Sequence, residues 1–163
     1  MVFLNRISSL ALNNRILVNA MDQQIETPND NDMDKIAKLL TISGVLADTI
    51  IGEPFDGSVN DLERMQQILD SNLVDAERTL ELQSLGVALG QVLANSDRDY
   101  DWWMVSDEQG RDPCLRYKDS NLLVFPQTFL SKRVEQGEAV NVASLYHGLV
   151  EQLDAVIDQQ LDR

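Results

Sequence analysis

Cysteine and histidine are nearly absent: the 163-residue chain holds one of each, Cys114 and His147. A single cysteine excludes an internal disulfide, and one cysteine with one histidine excludes a Cys/His zinc site. Cations are scarce, with 13 Lys+Arg against 27 Asp+Glu and a net charge of −14. Nucleic-acid phosphates and anionic lipid are held by Lys/Arg neutralising them, so neither is expected as a partner of so acidic a chain. Long apolar runs are missing too. No segment approaches the roughly 20 residues of a membrane span. Val2-Phe3-Leu4 stops at Asn5-Arg6, short of the roughly 7–15 apolar residues at the heart of a signal peptide. These absences predict a cytoplasmic protein that binds no metal, cofactor, nucleic acid or membrane. What is present is ordinary: 44% hydrophobic and 25% charged residues suit a globular domain and exclude a disordered or collagen-like chain.

Residues 1–21 carry Arg6 and Arg15 and no acid, and they place Phe3, Ile7, Leu10, Leu17 and Met21 near one helical face. An N-terminal helix docked on the core is expected there, rather than a membrane-surface helix. Residues 22–32 read as a polar connector. A second helix follows, with Met33, Ile36, Leu39, Leu40, Ser43, Leu46, Ala47 and Ile50 on its buried side, and Gly52 and Pro54 break it. Ser58–Asp61 has the form of a capping box, opening a short helix with Leu62, Met65, Ile68 and Leu69. Residues 74–94 are helical, with Leu82, Leu85, Leu89, Val92 and Leu93 along one side. Gly86 and Gly90 interrupt that helix at about 1 kcal/mol each relative to alanine, which implies close packing against a strand or helix.

From Asp101 the period changes. Strands are expected over 101–106, Cys114–Lys118 and Leu122–Phe125, with turns at Asp107–Asp112 and Asp119–Asn121, giving a three-stranded antiparallel meander. Pro126 and Gly137 bracket a short helix, and Asn141 caps a long final one striped by Val142, Leu145, Leu149, Leu153, Val156 and Ile157. The fold class is therefore α+β: N-terminal helices, the meander, then a short and a long C-terminal helix, with helices covering one sheet face. A single domain spans 1–163, with 1–55 a helical extension and 56–163 the α+β core.

Chemistry-bearing constellations are few. Asp97, Asp99, Asp101 and Glu108 fill positions 1, 3, 5 and 12 of a calcium-loop pattern. Position 6 is Trp102 where the loop's sharp turn requires glycine, and a strand from Trp102 would carry Glu108 away from the aspartates. Cys114 and His147 could in principle be nucleophile and base. Cys114 sits in a half-buried strand beside Pro113, however, and His147 shares a helical face with Glu151, Asp154 and Asp158, which makes one structural and the other a surface group. There is no phosphate-binding glycine loop, nucleophile elbow or His-Glu-x-x-His motif. No catalytic residue is assigned and enzymatic activity is not expected. The enzymatic alternative is a small hydrolase drawing its acid–base pair from Asp107, Glu108 or Asp112.

Two charge features remain. Residues 134–162 hold six acids and no Lys or Arg, which reads as a solvated helix face or as a dock for a basic partner, in the manner of an immunity-type protein. Residues 111–133 form a basic island of Arg111, Arg116, Lys118, Lys132 and Arg133 in an acidic chain. These cations could pair within the turn, with Asp107, Glu108 and Asp112. Alternatively, Trp103, Asp107, Arg111, Arg116, Tyr117, Lys132 and Arg133 make a candidate binding surface for a protein or a small anionic ligand. A non-enzymatic binding module is the expected function, with ligand identity and self-association left open.

A set of spaced motifs is more distinctive. Leu82-Gln83-Ser84-Leu85-Gly86 is followed by Gly90, then by Trp103-Met104-Val105-x-Asp107-Glu108-x-Gly110-Arg111-Asp112-Pro113. Leu115-Arg116-Tyr117, Phe125-Pro126-x-Thr128 and Ser131-Lys132-Arg133-Val134-Glu135-x-Gly137-Glu138 complete it. Together these resemble a small uncharacterised bacterial family, domain-of-unknown-function family 3806, over about residues 60–150. The resemblance implies an α+β bacterial domain, and it carries no activity and no catalytic residues.

Overall fold

The computed structural model describes residues 16–18 and 24–161. Among these residues one antiparallel sheet is built from β1 (Ile16–Val18), β2 (Gln24–Glu26), β3 (Tyr100–Asp107), β4 (Gly110–Tyr117) and β5 (Leu122–Val124). Their spatial order is β1-β5-β4-β3-β2. The helices are α1 (Asp30–Leu46), continued by a π-helical turn at Ala47–Ile51, α2 (Asn60–Asp70), α3 (Thr79–Asn95), α4 (Ser131–Glu135) and α5 (Val142–Val156), which runs into a second π-helical turn at Ile157–Leu161. The class is α+β, as expected, and β3–β4–β5 is the expected meander.

The sheet nevertheless has five strands rather than three. β1 lies where the N-terminal helix was expected to end; residues 1–15 and 19–23 fall outside the described residues. β2 and the first residues of α1 occupy the stretch expected to be a connector. Both extra strands are three residues long, too short for a periodic signal. They form because the meander offers edges: Ile16 pairs with Val124, and Gln24–Glu26 pair with Ser106–Met104. The β3–β4 turn is also tighter than expected. Asp107 pairs with Gly110, so the loop is Glu108–Gln109 alone and Arg111–Pro113 belong to β4. Gly110 supplies a φ of 135°, and the Asp107 carboxylate accepts from the Gln109 backbone N–H at 2.7 Å.

Helix α3 is the hub of the fold. From Leu82 to Leu93 nearly every position is buried, so the helix is apolar all round rather than on one stripe, the mark of a helix enclosed by other elements. Its glycines are set by close approach, to a loop as much as to a strand. A Cβ on Gly86 would lie 2.4 Å from the Pro126 carbonyl oxygen, and one on Gly90 would lie 2.6 Å from Pro126 Cγ and 3.0 Å from the Trp102 ring. The loop after β5 is thereby pressed onto α3.

Caps fix the other helices. Asn29 and Asp32 form a reciprocal capping box on α1: each backbone N–H donates to the other's side chain at 2.9 Å. Asn141 caps α5 by accepting from the Ser144 N–H at 2.9 Å. The box expected at Ser58–Asp61 does not close in that form. The Asp61 carboxylate reaches further back, to the N–H groups of Gly57 and Asp56 at 2.7 and 3.1 Å, and takes Arg64 at 2.7 Å.

Candidate functional site

Strand alternation gives the two sheet faces different residues. Tyr100, Trp102, Met104 and Ser106 of β3, with Tyr117, Leu115, Pro113 and Arg111 of β4, form one side, and Trp102, Leu115 and Val124 there join the main core with the helices. Trp103, Val105, Cys114 and Leu123 alternate to the other side and make a separate apolar cluster with Phe125 and Ile25.

A cleft opens on the helix side, and the sequence explains where. β5 pairs with β4 through Leu115↔Val124 and Arg116↔Leu123. Continued two residues further, that register would set Pro113 against Pro126, and neither has an N–H to donate, so pairing stops. Pro113 is tolerated on its β3 side because the Asp107↔Gly110 pair that closes the hairpin puts Met104↔Pro113 among the non-hydrogen-bonded pairs. The resulting gap of about 330 Å³ is floored by Met104 and Pro113, with Leu80 from the start of α3 and Gln127 beside it. Across from them stands one face of α1, bearing Lys35, Ile36, Lys38, Leu39 and Ile42. Leu80 is 53% exposed, so the rim leaves apolar surface open to solvent.

One end of the cleft is closed by an ion-pair network. Arg111 Nε and Nη2 donate to the Asp32 carboxylate at 3.1 and 2.6 Å, while Nη1 donates to Glu26 Oε2 at 2.6 Å and to Ser106 Oγ at 3.0 Å. The network joins β2, the capped start of α1 and the base of the hairpin. Hydrogen bonds from Arg111, then from the Asn29 N–H, hold the Asp32 carboxyl below the usual carboxylate range. The Arg111 guanidinium is shifted up by Asp32 and Glu26. A carboxylate so saturated with donors keeps its charge and serves as a post, not as a proton donor.

The other sequence-predicted site residues are dispersed. Arg116 and Trp103 lie on the opposite face, with the guanidinium 4.5 Å from the ring centroid and donating to the Ser120 and Asp119 carbonyls at 2.7 and 2.9 Å. Tyr117 packs on Tyr100 at 5.5 Å, at the far end of the meander. Asp107 sits in the hairpin turn. Lys132 is exposed on α4, and Arg133 lies over the Phe129 ring at 5.4 Å and reaches Glu138 at 3.4 Å. Of the seven, only Arg111 lines the cleft. Lys35, Lys38, Leu39, Ile42 and Met104 line it without having been expected to. The one signal in the sequence was that α1 carries apolar side chains on both flanks of Ile36, more than one packing partner needs.

Three motifs resolve geometrically. β3 runs between Asp101 and Glu108, which at about 3.3 Å per residue stand about 23 Å apart, so the four calcium-pattern acids do not converge. Among the described residues no group of three or more His, Cys, Asp or Glu is placed to hold a metal ion. Cys114 is fully buried, and burial pushes its thiol up to about 12, while His147 is exposed on α5. Among the C-terminal acids, Asp154 takes Arg98 through both carboxylate oxygens at 2.7 and 2.9 Å, and Glu135 accepts from Thr79 at 3.2 Å. No helix among the described residues is long and apolar enough to cross a membrane.

Residues 61–146 match the family described as Domain of unknown function (DUF3806). The chain belongs to this family. The matched span takes in α2, α3, the meander and α4, and it ends within α5. It therefore holds the floor of the cleft, whereas α1 and β2, the opposite wall, precede the DUF3806 match. A crystal structure from Bacteroides thetaiotaomicron VPI-5482 at 1.50 Å resolution shares the fold, with a TM-score of 0.73 at 19% identity. The likeness covers 80% of this chain and 48% of that one, so the chain spans about half the length of its structural relative. No curated protein matches.

Proposed function

We propose that this DUF3806 domain is a binding module that seats an apolar group in the cleft between α1 and the β3–β4 hairpin. The observation that carries the reading is an open volume of about 330 Å³ with Leu39, Ile42, Leu80, Met104 and Pro113 at its surface. That size and lining suit a small ligand or a single large side chain of a partner. The Arg111–Asp32–Glu26 network favours it further, because a pre-formed wall spends little binding energy on ordering.

Support for this reading over a hydrolase comes from the carboxylates. Of the three turn carboxylates only Asp112 lines the cleft, while the Asp107 carboxylate is turned onto the Gln109 N–H. The second carboxylate of the cleft, Asp32, is spent on Arg111 and the Asn29 N–H, which argues against its serving with Asp112 as an acid–base pair.

An amide NMR titration with n-octanol tests the reading. Shifts should concentrate on α1, Arg111, Asp112, Cys114 and Gln127, and Leu39→Glu should remove them, since a carboxylate in the cleft resists burial against an alkyl chain. Shifts centred elsewhere, or unchanged in Leu39→Glu, would overturn it.

A further inference from the structure

The cations of this acidic chain are mostly committed to protein partners. Arg64, Arg78, Arg98, Arg111 and Arg133 each reach a carboxylate within 3.4 Å, and Arg116 donates to two carbonyls. Lys35 and Lys38 differ. They form no salt bridge or hydrogen bond with the described residues, both are exposed, and they line the cleft from positions three apart on α1. Residues three apart on a helix are neighbours on one face. Long lysine stems lie along apolar surface and keep the ammonium in water, which here places two positive charges at the rim above an apolar floor.

The third cation of the cleft adds little to that field. Arg111 is outnumbered by Asp32 and Glu26, so its network leaves one negative charge at the end wall, which Lys35 offsets from α1, and Asp112 adds a carboxylate to the lining. Asp34 stands one turn before Lys38, yet the two form no ion pair within 4 Å among the described contacts. A largely apolar cleft with two ammonium groups outside any salt bridge at its mouth is complementary to a ligand with an alkyl body and an anionic end. The surrounding negative charge repels anions that have no apolar body to bury.

We infer that the cleft is selective for short amphiphiles with an anionic head, the carboxylate end read by Lys35 and Lys38 and the alkyl chain buried against Leu39, Ile42, Met104 and Pro113. The inference rests on the cleft being the ligand site. It makes the two lysines specificity determinants and predicts a ranking among ligands of equal chain length.

Calorimetric titration with n-octanoate, n-octanol and n-octylammonium separates the inference from the reading beneath it. Octanoate should bind about fivefold more tightly than octanol, the return expected from two solvent-exposed charge contacts, with octylammonium weakest. Lys35→Ala/Lys38→Ala should abolish the preference of octanoate over octanol, whereas Lys132→Ala, the same kind of charge loss outside the cleft, should keep it. Equal binding of octanoate and octanol, tightest binding of octylammonium, or a preference that survives the double substitution would overturn the inference and leave the cleft standing. No binding of any of the three, or binding indifferent to Leu39→Glu, would overturn both.

Discussion

Arg111 and Gly86 show how far single residues reach in this molecule. Arg111 reads as a candidate ligand-binding cation, and it does line the cleft. Its donors are spent on Asp32, Glu26 and Ser106, partners 79, 85 and 5 positions away in the chain. No local pattern can announce such a pairing. Gly86 is the converse: its cost in a helix is visible in the sequence, and its compensation is contact with a loop that arrives 40 residues later. Gly86→Ala should destabilise the fold by about 1–3 kcal/mol in urea unfolding, the usual range for overpacking, because the new methyl meets the Pro126 and Gln127 carbonyls and not a flexible side chain. A helix-propensity gain near 1 kcal/mol, with no net loss, would mean that the loop yields freely.

At the scale of elements, the wall and the floor of the cleft have separate origins. α1 starts where the Asn29–Asp32 capping box satisfies its first N–H groups, and that same Asp32 receives Arg111. The cap and the end wall of the cleft are thus one structure. Asn29→Ala should cost about 1 kcal/mol, as loss of an N-cap side chain does, and Asn29→Asp should restore most of it. In the same variants Asn29→Ala should weaken octanoate binding, since Asp32 loses the partner that orients it. Equal affinity in wild type and Asn29→Ala would show that the end wall stands without the cap. The floor comes from β4 and β5, which separate at Pro113 and Pro126 because proline cannot continue the pairing. Both prolines are plain in the sequence. That they fall opposite one another depends on a register that only the folded hairpin sets.

For the whole molecule, a charge of −14 makes acid response informative. The Ser58 hydroxyl and backbone N–H, with Arg64, lower the Asp56 carboxyl to about 2, and Arg111 with Asn29 lowers Asp32. Both groups hold protons less tightly folded than unfolded, where an aspartate titrates near 3.9. Their contribution is therefore complete above about pH 5 and drains away as the pH falls towards 2. The urea midpoint should drop across that window, and Asp32→Asn/Asp56→Asn should begin lower at pH 6 and fall less steeply. A double variant that falls as steeply as wild type would place the acid response on other carboxylates.

The sequence alone determined the α+β class, the β3–β4–β5 meander, the helix carrying Leu85 and Leu89, the Asn141 cap and the family, because each rests on periodicity, turn chemistry or motif spacing carried within a short window. β1 and β2 needed the tertiary structure: three residues have no readable period, and these strands exist because the meander edges pair with them. The candidate site needed it too. Alternation along β3 and β4 sends Trp103 and Arg116 to one face and Arg111 and Tyr117 to the other, so proximity in sequence divided the basic island instead of assembling it. Lys35 and Lys38 meet Met104 and Pro113 across roughly 70 residues of chain, and that meeting is decided by how α1 docks over an unpaired strand edge, which depends on packing and register and on no local signal.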